Sequence, residues 1–309
     1  MPCEVVSVNV SREKGTPKQP VERIELDERG VVGDAHAGNW HRQVSLLSRE
    51  AIDRFAAEHG RAVGDGEFAE NVTTRGLDLE TVAVLDRVAL GQAEVEITQI
   101  GKACHGEACA IFREVGACVM PKVGLFARVT QPGAATAGDA IEHRPRPLRI
   151  LLLTLSDRAA AGQYADRTGP AAEEILREHF EPLRWHERIE RAILPDEADL
   201  LRARLMEAVS GGVDLVFTLG STGLGPRDIA PEAVAAVGQK TIPGIVESIR
   251  AKFGAANPRA LLSRSLAVVA GRTQIYALPG SPRAAAEYIP EILRTWEHAF
   301  FMIHGLDVH

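Results

Sequence analysis

The chain has 309 residues, about twice the ~150 residues of a typical domain, so we expect two domains. Its hydrophobic fraction of 45% and charged fraction of 25% are those of an ordinary globular chain, which excludes intrinsic disorder as its main character. The net charge of −7 excludes a nucleic-acid interface built on bulk positive charge, although it allows a local basic pocket for a small phosphate.

The sequence predicts a cytoplasmic protein. Residues 1–6 lack the basic stretch and apolar core of a secretory signal. Apolar runs such as 150–153 are far shorter than the ~18 residues of a membrane span, so no membrane association is expected. All the cysteines lie in the first half, and a reducing compartment favours thiols, ligands or nucleophiles over disulfides. They are Cys3, Cys104, Cys109 and Cys118.

Short runs typical of β-strands dominate the first 143 residues. These runs cover residues 5–10, 44–47, 82–90, 93–97 and 125–129. One helix is predicted over residues 48–59, with Ser48 as N-cap because its hydroxyl can accept a hydrogen bond from a backbone N–H of the first turn. The pattern predicts a mostly-β domain over residues 1–143, built as a barrel or a folded sheet.

Residues 144–149 predict a linker, because two prolines in four positions interrupt helices and central strands. Strand and helix patterns alternate after it. Strands are predicted over 150–155, 185–194, 215–219, 266–270 and 274–278, and helices over 169–180, 197–211, 245–253, 284–303 and from about 231. This alternation predicts a three-layer α/β domain over residues 150–309 with a mainly parallel sheet.

Polar segments follow the strands of the predicted α/β domain, where such sheets bind ligands. Three of these segments contain an aspartate, namely Asp157, Asp196 and Asp228. Residues 220–225 are rich in glycine, so their backbone can bend around an anion and present N–H groups to it. Carboxylates beside such a loop are typical of a site for Mg²⁺ and a nucleotide. A plain strand-to-helix turn with helix-capping aspartates is the alternative.

Residues 218–233, TLGSTGLGPRDIAPEA, resemble the TGGTG…PRD-x-TPEA signature of the MogA/MoaB-type molybdopterin-binding family. Matching pieces occur in the same order at 156–158, at Gly162, Asp166 and Gly169, at 195–197 and at 278–282, so the resemblance spans about residues 150–300. Two positions depart from the family pattern. Ser221 replaces a glycine, which costs about 1 kcal/mol if φ is positive there. Ala230 replaces a threonine, so a hydroxyl contact to phosphate is lost.

This resemblance implies that the second domain binds molybdopterin and, as in the MogA branch, adenylylates its phosphate with ATP and Mg²⁺. It implies catalytic roles for Asp196 and Asp228, which would also hold the Mg²⁺. It also implies a homotrimer formed through this domain. The cofactor-binding residues that it implies here are Ser156, Asp157, Gly220, Ser221, Thr222, Gly223, Arg227, Pro279, Gly280 and Ser281.

The first half resembles the MOSC domain, named for the C-terminal regions of molybdenum cofactor sulfurases. The matching segments are GDAHAG at 33–38, RQVSL at 42–46, Lys-x-Cys at 102–104, PKVGLFARV at 121–129 and Gly-Asp at 138–139. The resemblance implies that Cys104 is the key cysteine, which carries sulfur or binds molybdenum. The neighbouring cations Lys102 and His105 favour a thiolate at Cys104.

Four cations of the first half are candidates for contacts with the pterin phosphate. Arg42 and Lys102 are the expected cofactor-binding residues, and Lys122 and Arg128 are further candidates. A zinc site built on the cysteines is the alternative role for Cys104, although the Cys-x4-Cys-x8-Cys spacing is not that of a zinc finger or ribbon.

Both halves thus indicate the same pterin. The main hypothesis is an enzyme of molybdenum cofactor biosynthesis, a nucleotidyltransferase without pyridoxal phosphate, whose MOSC domain binds the cofactor and its molybdenum ion or carries sulfur. One alternative is a non-catalytic carrier of molybdopterin or the mature cofactor, and another is sulfur transfer through Cys104. Expected partners are molybdopterin, ATP, a molybdenum insertase and a sulfur donor, with no nucleic acid and no membrane.

Overall fold

The computed structural model describes residues 3–102 and 118–306 of the chain. These residues form two compact units, unit 1 up to Arg146 and unit 2 from Pro147. No described helix combines the length and apolar character that a membrane-spanning segment requires.

Unit 1 is built mainly from short strands. Its elements are β1 (Glu4–Val10), β2 (Gln19–Val21), β3 (Arg23–Asp27), β4 (Gly30–Val31), β5 (Val44–Ser48), α1 (Arg49–His59), β6 (Val72–Arg75), a 3₁₀ turn (Leu79–Thr81), β7 (Arg87–Leu90), β8 (Ala93–Ile100), α2 (Met120–Val123), β9 (Leu125–Gln131), β10 (Gly133–Thr136) and β11 (Ile141–Arg144). Ser48 caps α1 as predicted, since its hydroxyl accepts a hydrogen bond from the Ala51 N–H at 3.2 Å.

The strands of unit 1 form two sheets. The larger has eight strands in the order β11-β7-β8-β9-β5-β6-β1-β2, and the smaller has the order β10-β3-β4. A single described bridge, between Glu4 and Ala140, connects β1 to the residue that precedes β11. Because this bridge does not extend into a ladder, the described strands pair as two sheets, and of the two predicted forms, a barrel or a folded sheet, a closed barrel is not found among them.

The predicted strand over 82–90 is shorter in the structure. Residues 82–86 form a turn in which Leu85 has a positive φ of 70° and Asp86 Oδ2 accepts a hydrogen bond from the Ala83 N–H. The apolar residues of this segment are buried but do not pair as a strand. Hydrophobic periodicity alone does not distinguish a buried turn of this kind from a buried strand.

Unit 2 alternates strands and helices. Its elements are β12 (Pro147–Leu155), α3 (Asp157–Ala160), α4 (Thr168–Phe180), β13 (His186–Leu194), α5 (Ala198–Ser210), β14 (Leu215–Leu219), α6 (Ala230–Val237), β15 (Lys240–Thr241), α7 (Pro243–Gly254), a 3₁₀ helix (Pro258–Leu262), β16 (Leu266–Ala270), β17 (Thr273–Leu278), α8 (Pro282–Leu293) and α9 (Trp296–Ile303). Only residues 145–146 separate β11 from β12, since a proline can begin a strand even though it donates no hydrogen bond.

The sheet of unit 2 is mixed. Its strand order is β13-β12-β14-β17-β16-β15. The pairs among β13, β12, β14 and β17 are parallel, whereas β16 and β15 add as antiparallel strands at one edge. The prediction of a mainly parallel sheet is correct for the four strands that carry the polar segments, and it missed the antiparallel edge.

Helices cover both faces of this sheet. Side chains of α5 and α6 share one core with alternate residues of β12, such as Leu151 and Leu153. The intervening residue Leu152 faces the opposite layer, because successive side chains of a strand alternate between its faces. On that second face, α4 and α8 bury Phe180 and Ile289. These layers hold the carboxyl ends of the parallel strands in fixed positions.

The predicted closing helix over 284–303 is two helices. α8 ends at Leu293, and Arg294 and Thr295 interrupt the chain before α9 begins at Trp296. Trp296 turns inward and packs edge-to-face on Phe180, with ring centroids 5.1 Å apart. The second helix thus begins at a fully buried indole that packs against α4.

Candidate functional site

A cleft of about 490 Å³ lies at the carboxyl edge of the unit 2 sheet. It forms there because the register aligns the last residues of four strands, pairing Leu155 with Leu194 and Leu219 with Leu278. We call it the carboxyl-edge cleft. The predicted site residues that line it are Ser156, Asp157, Asp196, Gly220, Ser221, Arg227, Asp228, Gly280 and Ser281. The predicted residues Thr222, Gly223 and Pro279 are not part of this lining.

Asp157 and Asp196 are joined by reciprocal hydrogen bonds. The Asp157 N–H donates to Asp196 Oδ2 at 3.2 Å, and the Asp196 N–H donates to Asp157 Oδ1 at 2.9 Å. Arg227 adds a bidentate contact, since its Nη2 donates to both Asp157 oxygens at 2.7 Å. The hydrogen bond from Arg227 lowers the pKa of Asp157, which keeps this exposed carboxylate ionised.

Ser221 has the left-handed backbone conformation that its position in the family motif implied, with a φ of 58°. Its hydroxyl donates to the Arg227 carbonyl at 2.9 Å and accepts from the Ile229 N–H at 2.9 Å. These two hydrogen bonds close the loop of residues 220–228, which we call the glycine loop. The serine therefore gives the loop a cross-link that a glycine at this position cannot form.

Two glycines let the substrate loops approach each other. A Cβ on Gly220 would lie 2.5 Å from the Leu155 carbonyl oxygen, and φ there is 124°. A Cβ on Gly280 would lie 2.8 Å from the Gly220 Cα. No other residue type fits these positions without movement of the backbone.

The Asp228 carboxylate folds back onto the glycine loop. Its Oδ2 accepts a hydrogen bond from the Gly225 N–H at 2.7 Å, and a Cβ on Gly223 would lie 2.7 Å from the same oxygen. No described group forms a hydrogen bond with Asp228 Oδ1 or Asp196 Oδ1. Among the described residues, Asp157, Asp196 and Asp228 do not converge within 4.8 Å of one another, so they do not form a three-carboxylate metal cage.

Several further residues of the cleft were not predicted as site residues. Tyr164 OH lies 2.8 Å from the Ser156 hydroxyl, and the Arg158 guanidinium lies 5.1 Å from the Tyr164 ring centroid. Asp166 caps α4 by accepting from the Thr168 N–H at 2.9 Å. Arg158 lies in α3, and Tyr164 and Asp166 lie in the segment between α3 and α4, whose approach to the strand ends depends on the tertiary fold. Gly162 and Asp166, which match the family pattern, were the only signal there.

Unit 1 contains a wholly buried ion pair between Lys18 and Asp34. Burial lowers the pKa of Lys18, and the contact with Asp34 partly offsets this effect. Burial alone would raise the pKa of Asp34, but hydrogen bonds from His36 and Lys18 outweigh it and lower the pKa. Asp34 and His36 belong to the GDAHAG segment, whereas Lys18 had no sequence signal because its partner is 16 residues away.

Arg42, a predicted cofactor-binding residue, is connected to this ion pair through Trp40 and His36. The Arg42 guanidinium stacks over Trp40 at 4.8 Å from the ring centroid, and His36 stacks on the same indole at 6.3 Å. Arg42 Nε is buried and has no hydrogen-bond partner among the described residues. Lys102 lies close enough to Lys18 to lower its pKa. The group of cations and one aromatic ring is a candidate anion-binding surface.

Glu70 is a second buried titratable group of unit 1. Its Oε1 accepts from the Gly66 N–H at 2.7 Å and the Thr73 hydroxyl at 2.9 Å, whereas its Oε2 has no partner among the described residues. Burial raises the pKa of Glu70 to about 7. Its carboxyl group is therefore partly protonated at neutral pH.

The proposed thiol chemistry falls largely outside the described residues, which do not include Cys104, His105 or Cys109. Cys118 is not in a disulfide and packs beside the Phe55 and Met120 cluster. Arg128 donates to Glu96 Oε1 at 2.6 and 3.0 Å, so its guanidinium is already engaged.

Comparisons with known proteins assign a family to a segment of each unit. The family described as a probable molybdopterin binding domain matches residues 151–298, and the MOSC domain family matches residues 33–142. A molybdopterin adenylyltransferase of Helicobacter pylori (strain J99) is 36% identical over 160 residues, which are 51% of this chain and 89% of that protein. The molybdopterin adenylyltransferase of Escherichia coli (strain K12) is 37% identical over 141 residues, 45% of this chain and 71% of that protein.

Two further similarities extend the comparison. A molybdenum cofactor biosynthesis bifunctional protein of Synechococcus elongatus is 33% identical over 156 residues, which are 50% of this chain and 47% of that protein. The crystal structure of the molybdopterin biosynthesis enzyme MoaB from Thermus thermophilus is 35% identical, with a TM-score of 0.47, and the match covers 52% of this chain and 99% of that one.

Proposed function

The chain belongs to the molybdopterin adenylyltransferase family and carries a MOSC domain, and on that premise we propose that unit 2 transfers adenylate from ATP to the phosphate of molybdopterin. An oxygen of the molybdopterin phosphate attacks the α-phosphorus of ATP, and the bond from that phosphorus to the β-phosphate oxygen breaks. Pyrophosphate leaves with the electron pair of that bond. The observation that carries this proposal is the carboxyl-edge cleft, where four aspartates and residues of the glycine loop line one cavity.

The chemical difficulty of this reaction is repulsion between two phosphate anions. The groups available to reduce it are the N–H groups of the glycine loop and the guanidinium of Arg227. A general base is not required, because a phosphate monoester with a second pKa near ~6 is already mostly dianionic at neutral pH. The remaining task of the cleft is to hold the attacking oxygen in line with the leaving group.

Mg²⁺ fits the donor set of this cleft, because it prefers oxygen ligands and often takes one or two carboxylates beside substrate phosphates. We assign it to Asp196 and Asp228, each of which has an Oδ1 without a hydrogen-bond partner among the described residues. When bound, Mg²⁺ neutralises charge on the phosphates. Asp157, which is held by Arg227, serves instead to orient that guanidinium and the Asp196 backbone.

A pyrophosphate-release assay with molybdopterin and Mg-ATP tests the proposal. We expect the full chain to release pyrophosphate and Asp228→Ala to lose at least ~100-fold, the effect of removing an electrostatic group from a phosphoryl-transfer site. Asp199→Ala is the matched control, because Asp199 is an exposed aspartate of α5 outside the cleft lining. The contrary result is a wild-type protein that binds molybdopterin but releases no more pyrophosphate than Asp228→Ala does. This result would favour the non-catalytic carrier over the enzyme.

For unit 1 we propose binding of the pterin cofactor, with Cys104 carrying sulfur or contacting molybdenum. The surface formed by Arg42, Trp40 and Lys102 supports this, since a buried guanidinium nitrogen without a partner suits a phosphate. Incubation with a cysteine desulfurase should leave a persulfide on the wild-type protein and none on Cys104→Ala. A persulfide that persists in this variant would contradict the assignment of Cys104.

Other expectations from the sequence remain proposals of the same kind. They are a barrel in unit 1, supported by the hydrogen bonds that join Val5 to Gly138 and Asp139, a trimer formed through unit 2, a cytoplasmic location, and a molybdenum insertase and sulfur donor as partners. Size-exclusion chromatography with light scattering tests the trimer directly.

A further inference from the structure

Arg264 lies behind the glycine loop, between the 3₁₀ helix Pro258–Leu262 and β16. Its Nε donates to the Gly223 carbonyl at 2.7 Å, and its Nη2 donates to the Asp228 carbonyl at 2.8 Å. Its backbone N–H donates to the Thr222 carbonyl at 2.9 Å. One residue therefore holds three carbonyls of the same loop, although Arg264 is not part of the cleft lining.

The guanidinium is suited to this task because its donors have a fixed planar arrangement. A single rigid group thus fixes the distance between the Gly223 and Asp228 carbonyls, which are five residues apart in the chain. Because the peptide unit is planar and trans, fixing the Gly223 carbonyl also fixes the direction of the Leu224 N–H on the opposite side. Fixing the Asp228 carbonyl anchors the residue that bears the proposed Mg²⁺ ligand.

We propose that Arg264 is a positioning residue for adenylyl transfer, acting through the glycine loop without touching substrate. This inference rests on the function proposed for unit 2. It assigns to Arg264 the task of keeping the loop N–H groups and the Asp228 carboxylate in the arrangement that phosphate transfer needs. A displacement of such groups by about 1 Å can lower the rate ~100-fold.

The ion pair between Arg264 and Glu232 is a different contact with a weaker effect. It is partly exposed, with the Glu232 side chain 61% accessible, and exposed ion pairs contribute little. If Arg264 served only this pair, Glu232→Ala would reproduce the effect of Arg264→Ala. If Arg264 served only as a positive charge, Arg264→Lys would behave as wild type.

The test combines steady-state kinetics of pyrophosphate release with amide hydrogen exchange of residues 220–228, using the full chain. For Arg264→Ala we expect kcat to fall roughly 10- to 100-fold with a smaller change in KM, and faster exchange in the glycine loop. Arg264→Lys should recover part of the loss, because one amine cannot reproduce both carbonyl contacts. Low millimolar guanidinium should raise kcat of Arg264→Ala. Arg259→Ala, an exposed arginine of the same segment, is the matched control and should behave as wild type.

The outcomes separate this inference from the proposed function. Unchanged kcat or unchanged loop exchange in Arg264→Ala overturns the positioning role, as does an equal kcat loss in Glu232→Ala. Wild-type kcat in Arg264→Lys also overturns it. A wild-type protein without turnover overturns the proposed function instead, and the exchange of residues 220–228 then decides whether Arg264 holds the loop.

Discussion

Substitutions of Ser221 separate backbone strain from hydrogen bonding in the glycine loop. At a φ of 58°, a residue with a Cβ is less stable than glycine by about 1 kcal/mol, after allowing for the flexibility that glycine adds to the unfolded chain. The Ser221 hydroxyl makes two hydrogen bonds, each contributing a net ~1 kcal/mol. Ser221→Ala keeps the strain and loses both bonds, so we expect a loss of about 2 kcal/mol. Ser221→Gly also loses both bonds but relieves the strain, so we expect a loss of about 1 kcal/mol.

The measurement requires a signal from unit 2 alone. Of the three tryptophans, Trp185 and Trp296 lie in unit 2 and Trp40 lies in unit 1. In a Trp40→Phe background, tryptophan fluorescence during urea unfolding of the full chain therefore reports on unit 2. Comparing the midpoints of serine, glycine and alanine at position 221, with a common slope, gives the two differences in free energy of unfolding.

The order of stability is the decisive result, with serine above glycine and glycine above alanine. An alanine variant as stable as the glycine variant would refute the claim that this backbone conformation is strained. A glycine variant more stable than wild type would show that the two hydroxyl contacts do not offset the strain.

Three further predictions concern Glu70, the Lys18–Asp34 pair and the contact between Gly280 and Gly220. Because burial raises the pKa of Glu70 from 4.5 to about 7, the folded state retains a proton that the unfolded state releases. Stability should therefore fall by up to about 3 kcal/mol as pH rises from 5 to 8, and Glu70→Gln should remove that slope. Lys18→Met leaves Asp34 buried without its cation and should cost roughly 3–5 kcal/mol, part of which a second change, Asp34→Asn, restores. Gly280→Ala places a Cβ 2.8 Å from the Gly220 Cα, so we expect a loss of roughly 1–3 kcal/mol and weaker binding of Mg-ATP.

Each of these predictions has a control in the same unit. Urea unfolding of Glu80→Gln, at an exposed site, should keep the wild-type pH slope, and an unchanged slope in Glu70→Gln would contradict the burial argument. Lys122→Met, also exposed, should shift stability by less than ~0.5 kcal/mol, and an equally small shift in Lys18→Met would contradict the buried pair. A Cβ on Gly244 meets no atom within 4 Å, so Gly244→Ala should bind Mg-ATP in a calorimetric titration as wild type does, and Gly280→Ala should not.

Local features of the fold were predictable wherever the physical cause was itself local. Ser48 was identified as a helix cap because capping involves residues three positions apart. The positive φ of Ser221 followed from the glycine that the family motif has at this position. The antiparallel edge of the unit 2 sheet had a local signal that was missed. Only Gly271 and Arg272 separate β16 from β17, and a two-residue connection is typical of a hairpin.

Contacts between distant segments were not predictable from spacing. Arg264 reaches carbonyls 36 and 41 residues away, and nothing in its own segment marks it as a partner of the glycine loop. The break at residues 294–295 likewise has no glycine or proline at its own positions, and the partner on which Trp296 packs there, Phe180, is more than 100 residues away in the chain. The sequence therefore identified candidate catalytic and binding residues more readily than the residues that hold them in position.

The reciprocal hydrogen bonds between Asp157 and Asp196 make these two residues one thermodynamic unit. Each carboxylate accepts a hydrogen bond from the other residue's backbone N–H, so either single substitution removes one of the two bonds between the turn after β12 and the turn after β13. Because both bonds join the same two turns, the two single losses should not simply add up to the loss of the double substitution, as is usual for residues in direct contact. A single substitution at Asp196 thus removes a proposed Mg²⁺ ligand and a hydrogen bond between two turns at the same time. A double-mutant cycle with Asp157 separates the two effects.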